Sequence, residues 1–128
     1  MAIELFRVIL PVPDIARGES FYAQLFESPG ERISPGRHYF RLGATILALY
    51  DPVADGDSMA GGWKHHPNQY VYFSTPELDA AWERAQRAGV QELTSIDEKP
   101  WGERIFYGRD PFGNPISFVD SSTVFQGH

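Results

Sequence analysis

Four histidines and no cysteine narrow what this chain can do by metal or thiol chemistry. His65 and His66 are neighbours, so on an extended chain they point opposite ways. His128 is terminal, and His38 lies near a hairpin with no acidic residue at ligand-like spacing. These read as surface or structural histidines rather than as a metal site. Asp55-Gly56-Asp57 matches the opening of a calcium loop, but the later ligand positions and the closing glutamate are absent. No serine–histidine–acid arrangement, phosphate-cradling glycine loop or dinucleotide fingerprint is visible, although a triad of distant residues leaves no local signature. What remains for chemistry without a metal or a thiol is phenols, guanidiniums and carboxylates. Their chemistry is proton transfer, oxyanion stabilisation or plain binding.

The elements that must position these residues read as one pattern written twice. An apolar strand over 3–10 ends at Pro11 and Pro13, and Asp14 caps a helix over 15–27 that stops at Pro29-Gly30. Short strands follow at 31–34, 37–42 and 45–50, the last two turning at Gly43-Ala44. The second half begins with a strand at 69–74. Thr75 as cap and Pro76 as first helical residue then open a helix to Ala88, closed by Gly89. Leu78, Ala81, Trp82, Ala85 and Ala88 form its apolar stripe. Strands at 90–95, 103–108 and 115–119 complete the half, and Pro13-Asp14-Ile15 is echoed by Pro76-Glu77-Leu78. The spacing predicts a single domain over 1–128: one module over 3–50, a linker over 51–68, a second module over 69–120 and a tail over 121–128.

Two segments carry a family likeness. Asp110-Pro111-Phe112-Gly113-Asn114 places Asp, Pro and Gly at the first, second and fourth positions of a type I turn, between strands. Near the N-terminus stands Val12-Pro13-Asp14-Ile15, followed by Ser20-Phe21-Tyr22-Ala23-Gln24-Leu25-Phe26. Together they resemble the vicinal oxygen chelate superfamily, which holds glyoxalase I, bleomycin-resistance proteins, fosfomycin-resistance enzymes and extradiol dioxygenases. The resemblance spans residues 5–120. It implies an α+β fold in which two βαβββ modules form a curved, open eight-stranded mixed sheet around a ligand cup. It names the fold more firmly than the reaction, since one scaffold here serves many chemistries.

In metal-dependent members, side chains from the first and last strands of each module converge on a divalent ion. Carried onto this sequence, the resemblance lands on Arg7, Ala48, Tyr70 (with Gln69 adjacent) and Ser117. None is a competent ligand: the guanidinium stays protonated, alanine has no donor atom, and a lone phenol or hydroxyl holds an ion poorly. No metal and no cofactor are therefore expected. If those four positions face the cup, alternation brings Leu5, Ile9, Ile46, Tyr50, Tyr72 and Val119 to the same side, and Tyr107 with Ile105 and Glu103. The candidate ligand-binding set is Arg7, Ile9, Ala48, Tyr50, Tyr70, Tyr72, Trp101, Glu103, Ile105, Tyr107 and Ser117. Arg7 must find an anion, either a protein carboxylate such as Glu103 or one on a ligand. Trp101, in the segment Trp101-Gly102-Glu103-Arg104, either stacks on a flat ligand or caps the sheet edge.

Composition bounds the partners. A net charge of −6 with no basic cluster argues against nucleic acid, no apolar run suits a membrane span, and the absence of cysteine suits a reducing cytoplasm. The resemblance implies a homodimer that binds a small molecule. Trp63-Lys64-His65-His66 either folds over the site or contacts a second subunit, as against a plain solvated connection, and the tail residues Val124 and Phe125 either pack on a neighbour or seal the chain's own edge. Sequestration of a small organic molecule without a metal is the leading expectation. A metal-independent enzyme using Tyr70, Tyr107, Glu103 or Arg7, and a metal-dependent lyase or dioxygenase, stay open beside it.

Overall fold

The computed structural model describes residues 2–57 and 66–124. Trp63, Lys64, His65, Phe125 and His128 lie outside the described residues. The chain divides into two compact units, Met1–His65 and His66–His128. The first runs β1 (Arg7–Pro11), α1 (Ile15–Phe26), β2 (Glu31–Ser34), β3 (Arg37–Leu42) and β4 (Thr45–Tyr50). The second runs β5 (Val71–Thr75), α2 (Leu78–Ala88), β6 (Asp97–Glu98), β7 (Arg104–Arg109) and β8 (Pro115–Asp120), with a 3-10 turn over Ser121–Thr123. Each unit is thus a βαβββ module with its own four-stranded sheet, in the orders β1-β4-β3-β2 and β5-β8-β7-β6. The opening strand of each runs parallel to the closing strand, and the other pairs are antiparallel. This is the expected α+β fold. No described helix is long and apolar enough to cross a membrane.

Helix starts and stops follow local chemistry in the first module. Asp14 sits in extended backbone and accepts from the Arg17 N–H at 3.1 Å, satisfying one of the free donors of α1. The buried face of α1 is Ile15, Gly18, Phe21, Tyr22 and Leu25. Gly18 lets the helix pack closely, since a Cβ would stand 3.3 Å from both Leu49 Cδ1 and Val12 Cγ1, a tight contact that those side chains would have to yield to. Phe40 fills the gap beneath it, 6.5 Å from the Tyr22 ring and 5.3 Å from that of Phe26. His38 lies on this same covered face and is structural. Its Nε2 is 2.8 Å from the Pro29 carbonyl, and its Nδ1 is 3.1 Å from Glu19. The acidic companion invisible in the local spacing comes from the helix.

Several boundaries differ from expectation. The first strand begins at Arg7, not residue 3, because its partner β4 begins only at Thr45. Beyond that point just the Phe6 and Leu5 carbonyls find donors, on Ile46 N–H and the Thr45 hydroxyl. The strand expected from 69 begins at Val71. Thr75 ends β5 instead of capping α2: its hydroxyl accepts from Glu77 N–H, and the helix starts at Leu78 with no side-chain cap. Gly89, left-handed at φ 86°, closes α2 as expected. The strand expected over 90–95 is absent. Only Gln91 bridges to Arg109, Glu92 turns into the left-handed region at φ 51°, and the Thr94 hydroxyl accepts from Tyr107 N–H where a strand would offer a carbonyl. The two-residue β6 replaces it further along.

The stretch after β4 is fastened to its own module. Asp51 N–H donates to the Gly36 carbonyl at 2.7 Å, and Asp55, part-buried against the β2–β3 turn, accepts from Ser34, Gly36 N–H and Arg37. Tyr50 donates to Asp57, which raises the phenol's pKa. Burial alone would raise the Asp55 carboxyl, but the Ser34 and Gly36 hydrogen bonds and the Arg37 charge outweigh it and hold it below its ordinary value. A folded pKa below the unfolded one gives stability that is whole above about pH 4 and lost as pH falls through the folded value. Asp55→Asn should therefore flatten the acid limb of the stability curve while lowering stability at neutral pH. Urea titrations at neutral and acidic pH read both changes.

Candidate small-molecule site

Each sheet has one face covered by its helix and one free of it, and register assigns the side chains. In the second module β8 lies between β5 and β7, pairing Ser117 with Tyr72 on one side and Tyr107 on the other. Directly paired residues share a face, so Tyr72, Ser117 and Tyr107 stand together, with Val119 and Ile105 in the next row. The opposite face carries Phe73, Phe118 and Phe106. Arg104, on that face, reaches Asp79 of α2 at 3.8 Å, which identifies it as the helix-covered side.

On the helix-free side three phenols meet. The Tyr70 ring lies 5.5 Å from that of Tyr107 and 6.4 Å from that of Tyr72, and Tyr72 and Tyr107 are 6.4 Å apart. The contacts with Tyr107 are edge-to-face, a favoured aromatic geometry. Tyr72 is 55% exposed, so the cluster offers an open aromatic surface. Partial burial, then a hydrogen bond with Tyr107, then the neighbouring Tyr107, Glu103 and Tyr70 groups raise the Tyr72 pKa. That phenol is therefore a hydrogen-bond donor at neutral pH and a poor base. Lys99 stands over the Tyr107 ring at 5.1 Å. Trp101, also exposed, donates its indole N–H to Glu103 at 2.7 Å, across a turn in which Lys99 N–H donates to the Glu103 carbonyl. Ser117 is fully buried and donates to the Phe106 carbonyl at 3.0 Å. With Ile105 it forms the floor beneath the tyrosines.

The first module repeats the layout with different residues. Ile9, Ala48 and Tyr39 form one cross-strand row, and Arg7, Ile46 and Arg41 the row beside it. Ala48 and Ile46 are buried as floor. Arg7 is exposed, its guanidinium 5.1 Å from the Tyr39 ring and 4.9 Å from that of Phe6. Tyr50 lies at the far end of this face beneath Arg37, which is 4.3 Å from its ring. Leu5 falls outside β1 and is mostly exposed, so the alternation expected for it does not apply.

The structure thus gathers Tyr70, Tyr72, Tyr107, Ser117 and Ile105 on one sheet face, with Trp101 and Glu103 on the turn beside it. It gathers Arg7, Ile9, Ala48 and Tyr50 on the other sheet's equivalent face. Across from Ser117 stands Tyr72 rather than Tyr70, which precedes β5 and joins through its ring. Sequence reading missed Tyr39, Arg41 and Lys99. Counting back from the Gly43-Ala44 turn pairs Tyr39 with Ala48, so register held that signal; nothing local marks Lys99.

The donor set does not suit a divalent ion. The four positions carried over from the family pattern hold a cation, a methyl group, a phenol and a hydroxyl already donating to a carbonyl. Among the described residues, no three His, Cys, Asp or Glu side chains converge as a metal cluster.

Comparison with known proteins agrees with the geometry. The chain is 26% identical over 129 residues to an uncharacterized protein of Mycobacterium tuberculosis, covering 89% of this chain and 74% of that protein. A second, from Mycobacterium bovis, is equally similar over 83% of its length. Among solved structures, lactoylglutathione lyase from Agrobacterium tumefaciens superposes with a TM-score of 0.69 at 22% identity, covering 93% of this chain and 94% of that one. TioX from Micromonospora sp. ML1 gives 0.66 at 18% identity, covering 91% and 97%. These identities speak for the fold alone. The sequence profile of one family matches residues 4–118, and the chain belongs to the Glyoxalase/Bleomycin resistance protein/Dioxygenase superfamily.

Proposed function

We propose that this superfamily member binds a small, partly aromatic organic molecule on the helix-free face of its second sheet, without a metal ion, and acts as a homodimer that sequesters it. The observation carrying this reading is the tyrosine cluster. Tyr70, Tyr72 and Tyr107 present an open aromatic surface over an apolar floor, with Glu103 and Lys99 as polar points, and among the described residues no group of three His, Cys, Asp or Glu side chains converges to hold an ion. A mostly apolar surface with a few convergent polar groups is the usual form of a small-molecule site. Protein stripped with EDTA should bind a neutral aromatic probe, 1-naphthalenemethanol, in isothermal titration. Tyr72→Ala should weaken that binding roughly tenfold through lost ring contact, and light scattering should give twice the 14.4 kDa chain mass. Undiminished binding by Tyr72→Ala, or binding that appears only after metal is added, counts against the reading.

A metal-independent enzyme is the second reading, favoured by the closeness of Tyr72 to Tyr107, their rings 6.4 Å apart, and by the raised pKa of Tyr72. A phenol held protonated can donate to a developing oxyanion. Tyr107→Phe separates the two, since loss of turnover with affinity retained would favour catalysis over sequestration.

A further inference from the structure

We propose that the helix-free face of the first module is an anion site, in which Arg7 and Arg41 grip the carboxylate, sulfonate or phosphate of an aromatic ligand whose body lies on Ile9, Ala48 and Tyr39. The proposal rests on the small-molecule reading above and extends it to the first module's face, with the charge of the ligand class bound there.

Arg7 and Arg41 are both paired with Ile46, one from β1 and the other from β3, so they flank it on a single face. Their backbones stand two strand spacings apart, about 9.5 Å, which two arginine side chains can span. Both are exposed, and among the described residues of the module neither has a carboxylate partner. Acid is not scarce, with 17 Asp and Glu against 11 Lys and Arg. Other arginines of the same module find it: Arg32 pairs with Glu19, and Arg37 with Asp55. Two guanidiniums left without carboxylates on one face repel each other mildly until an anion arrives.

Arg7 is also pre-oriented. Stacking on Tyr39 and Phe6 occupies the face of its guanidinium and leaves edge N–H groups suited to fork an oxyanion. The next row, Ile9–Ala48–Tyr39, supplies a shelf with a small residue at its centre. Ile9 is 48% exposed and unclaimed by the helix-side core. A ring laid there would carry its anionic group toward the arginine row. The opposite end of the face is closed to an anion, because Arg37 is already neutralised by Asp55.

Isothermal titration of EDTA-stripped protein with 1-naphthoate and with its neutral counterpart 1-naphthalenemethanol tests this. Naphthoate should bind at least about tenfold tighter, and the advantage should shrink as NaCl is added. Arg7→Met and Arg41→Met should each cut naphthoate affinity about tenfold while leaving the neutral probe unchanged. Arg87→Met, which removes the same charge from α2, should leave both unchanged. Equal affinity of wild type for the two probes would overturn the anion site but leave the small-molecule reading standing. Failure of both probes to bind would sink that reading too. Unchanged naphthoate binding in the variants, with a dimer-to-monomer shift by light scattering, would assign the face to a second copy of the chain and overturn the proposal.

Discussion

Asp110→Ala should lower the stability of the protein by about 3 kcal/mol, a fall of roughly 10 °C in Tm. The carboxylate is fully buried and accepts from Phe112 N–H at 2.9 Å, Asn114 N–H at 2.8 Å and the Asn114 side-chain amide at 2.8 Å. The backbone closes the same loop: Gly113 N–H donates to the Asp110 carbonyl at 3.1 Å, and Asp110 N–H donates to that of Asn114 at 2.9 Å. Gly113 takes φ 90°, which suits a residue without Cβ. Alanine leaves three donors in the turn without the carboxylate they were folded around, and Asn114 is itself fully buried. Asp110→Asn keeps one acceptor oxygen but turns an amide toward the Asn114 amide, so it should cost about 1 kcal/mol. Denaturant midpoints rank the three proteins, and hydrogen exchange at Asn114 N–H locates the loss. Equal stability of the alanine and asparagine variants would contradict this account.

That turn was also the most legible part of the sequence, and the reason is physical. Asp, Pro and Gly each have one dominant use at a type I turn, so their order specifies a conformation without help from distant residues. Asp14 and Gly89 were legible for the same reason, because capping is a contact between near neighbours. Strand limits were not. Where β1 begins depends on where β4 begins, some 40 residues away. The 90–95 segment fails as a strand because the Thr94 side chain takes a bond that a backbone carbonyl was expected to take. Thr75 had the right chemistry for a cap, but β8 claimed it as the end of β5.

The candidate site divides along the same line. Alternation placed Tyr72, Tyr107 and Ser117 on one face because period two survives any error in strand length. Tyr70 was placed on that face as a strand residue; it does join the cluster, but by its ring from just outside the strand. Arg7 was expected to face apolar neighbours and to need an anion, from the protein or from a ligand. Its observed neighbours are the Tyr39 and Phe6 rings, contacts that a guanidinium accepts as readily as an ion pair. His38 shows the reverse error. The local spacing offered no acid, yet α1 brings Glu19 to 3.1 Å once the helix docks.

The same alternation makes Phe106→Ala the most damaging change expected, at about 3–5 kcal/mol. Phe106 and Tyr107 are consecutive on β7 and face opposite ways, one into the helix-side core and the other into the tyrosine cluster. The Phe106 ring is almost fully buried and lies stacked on Phe118 at 5.2 Å with an interplanar angle of 11°, and Phe118 in turn meets Phe73 at 5.1 Å. Removing the first ring leaves a void against a rigid three-strand floor whose backbone is held by the β5–β8 and β7–β8 ladders, so it can collapse only in part. Phe106→Leu, which fills most of that volume, should cost much less. Because the Phe106 carbonyl also accepts the Ser117 hydroxyl, slackening of β7 should reach the opposite face. Phe106→Ala should therefore weaken binding of 1-naphthalenemethanol as well as lower the denaturation midpoint, although its side chain never touches that surface. Tyr107→Phe, one residue along, should leave stability nearly unchanged. If the two variants were equally unstable, the assignment of core and site to opposite faces of β7 would be wrong.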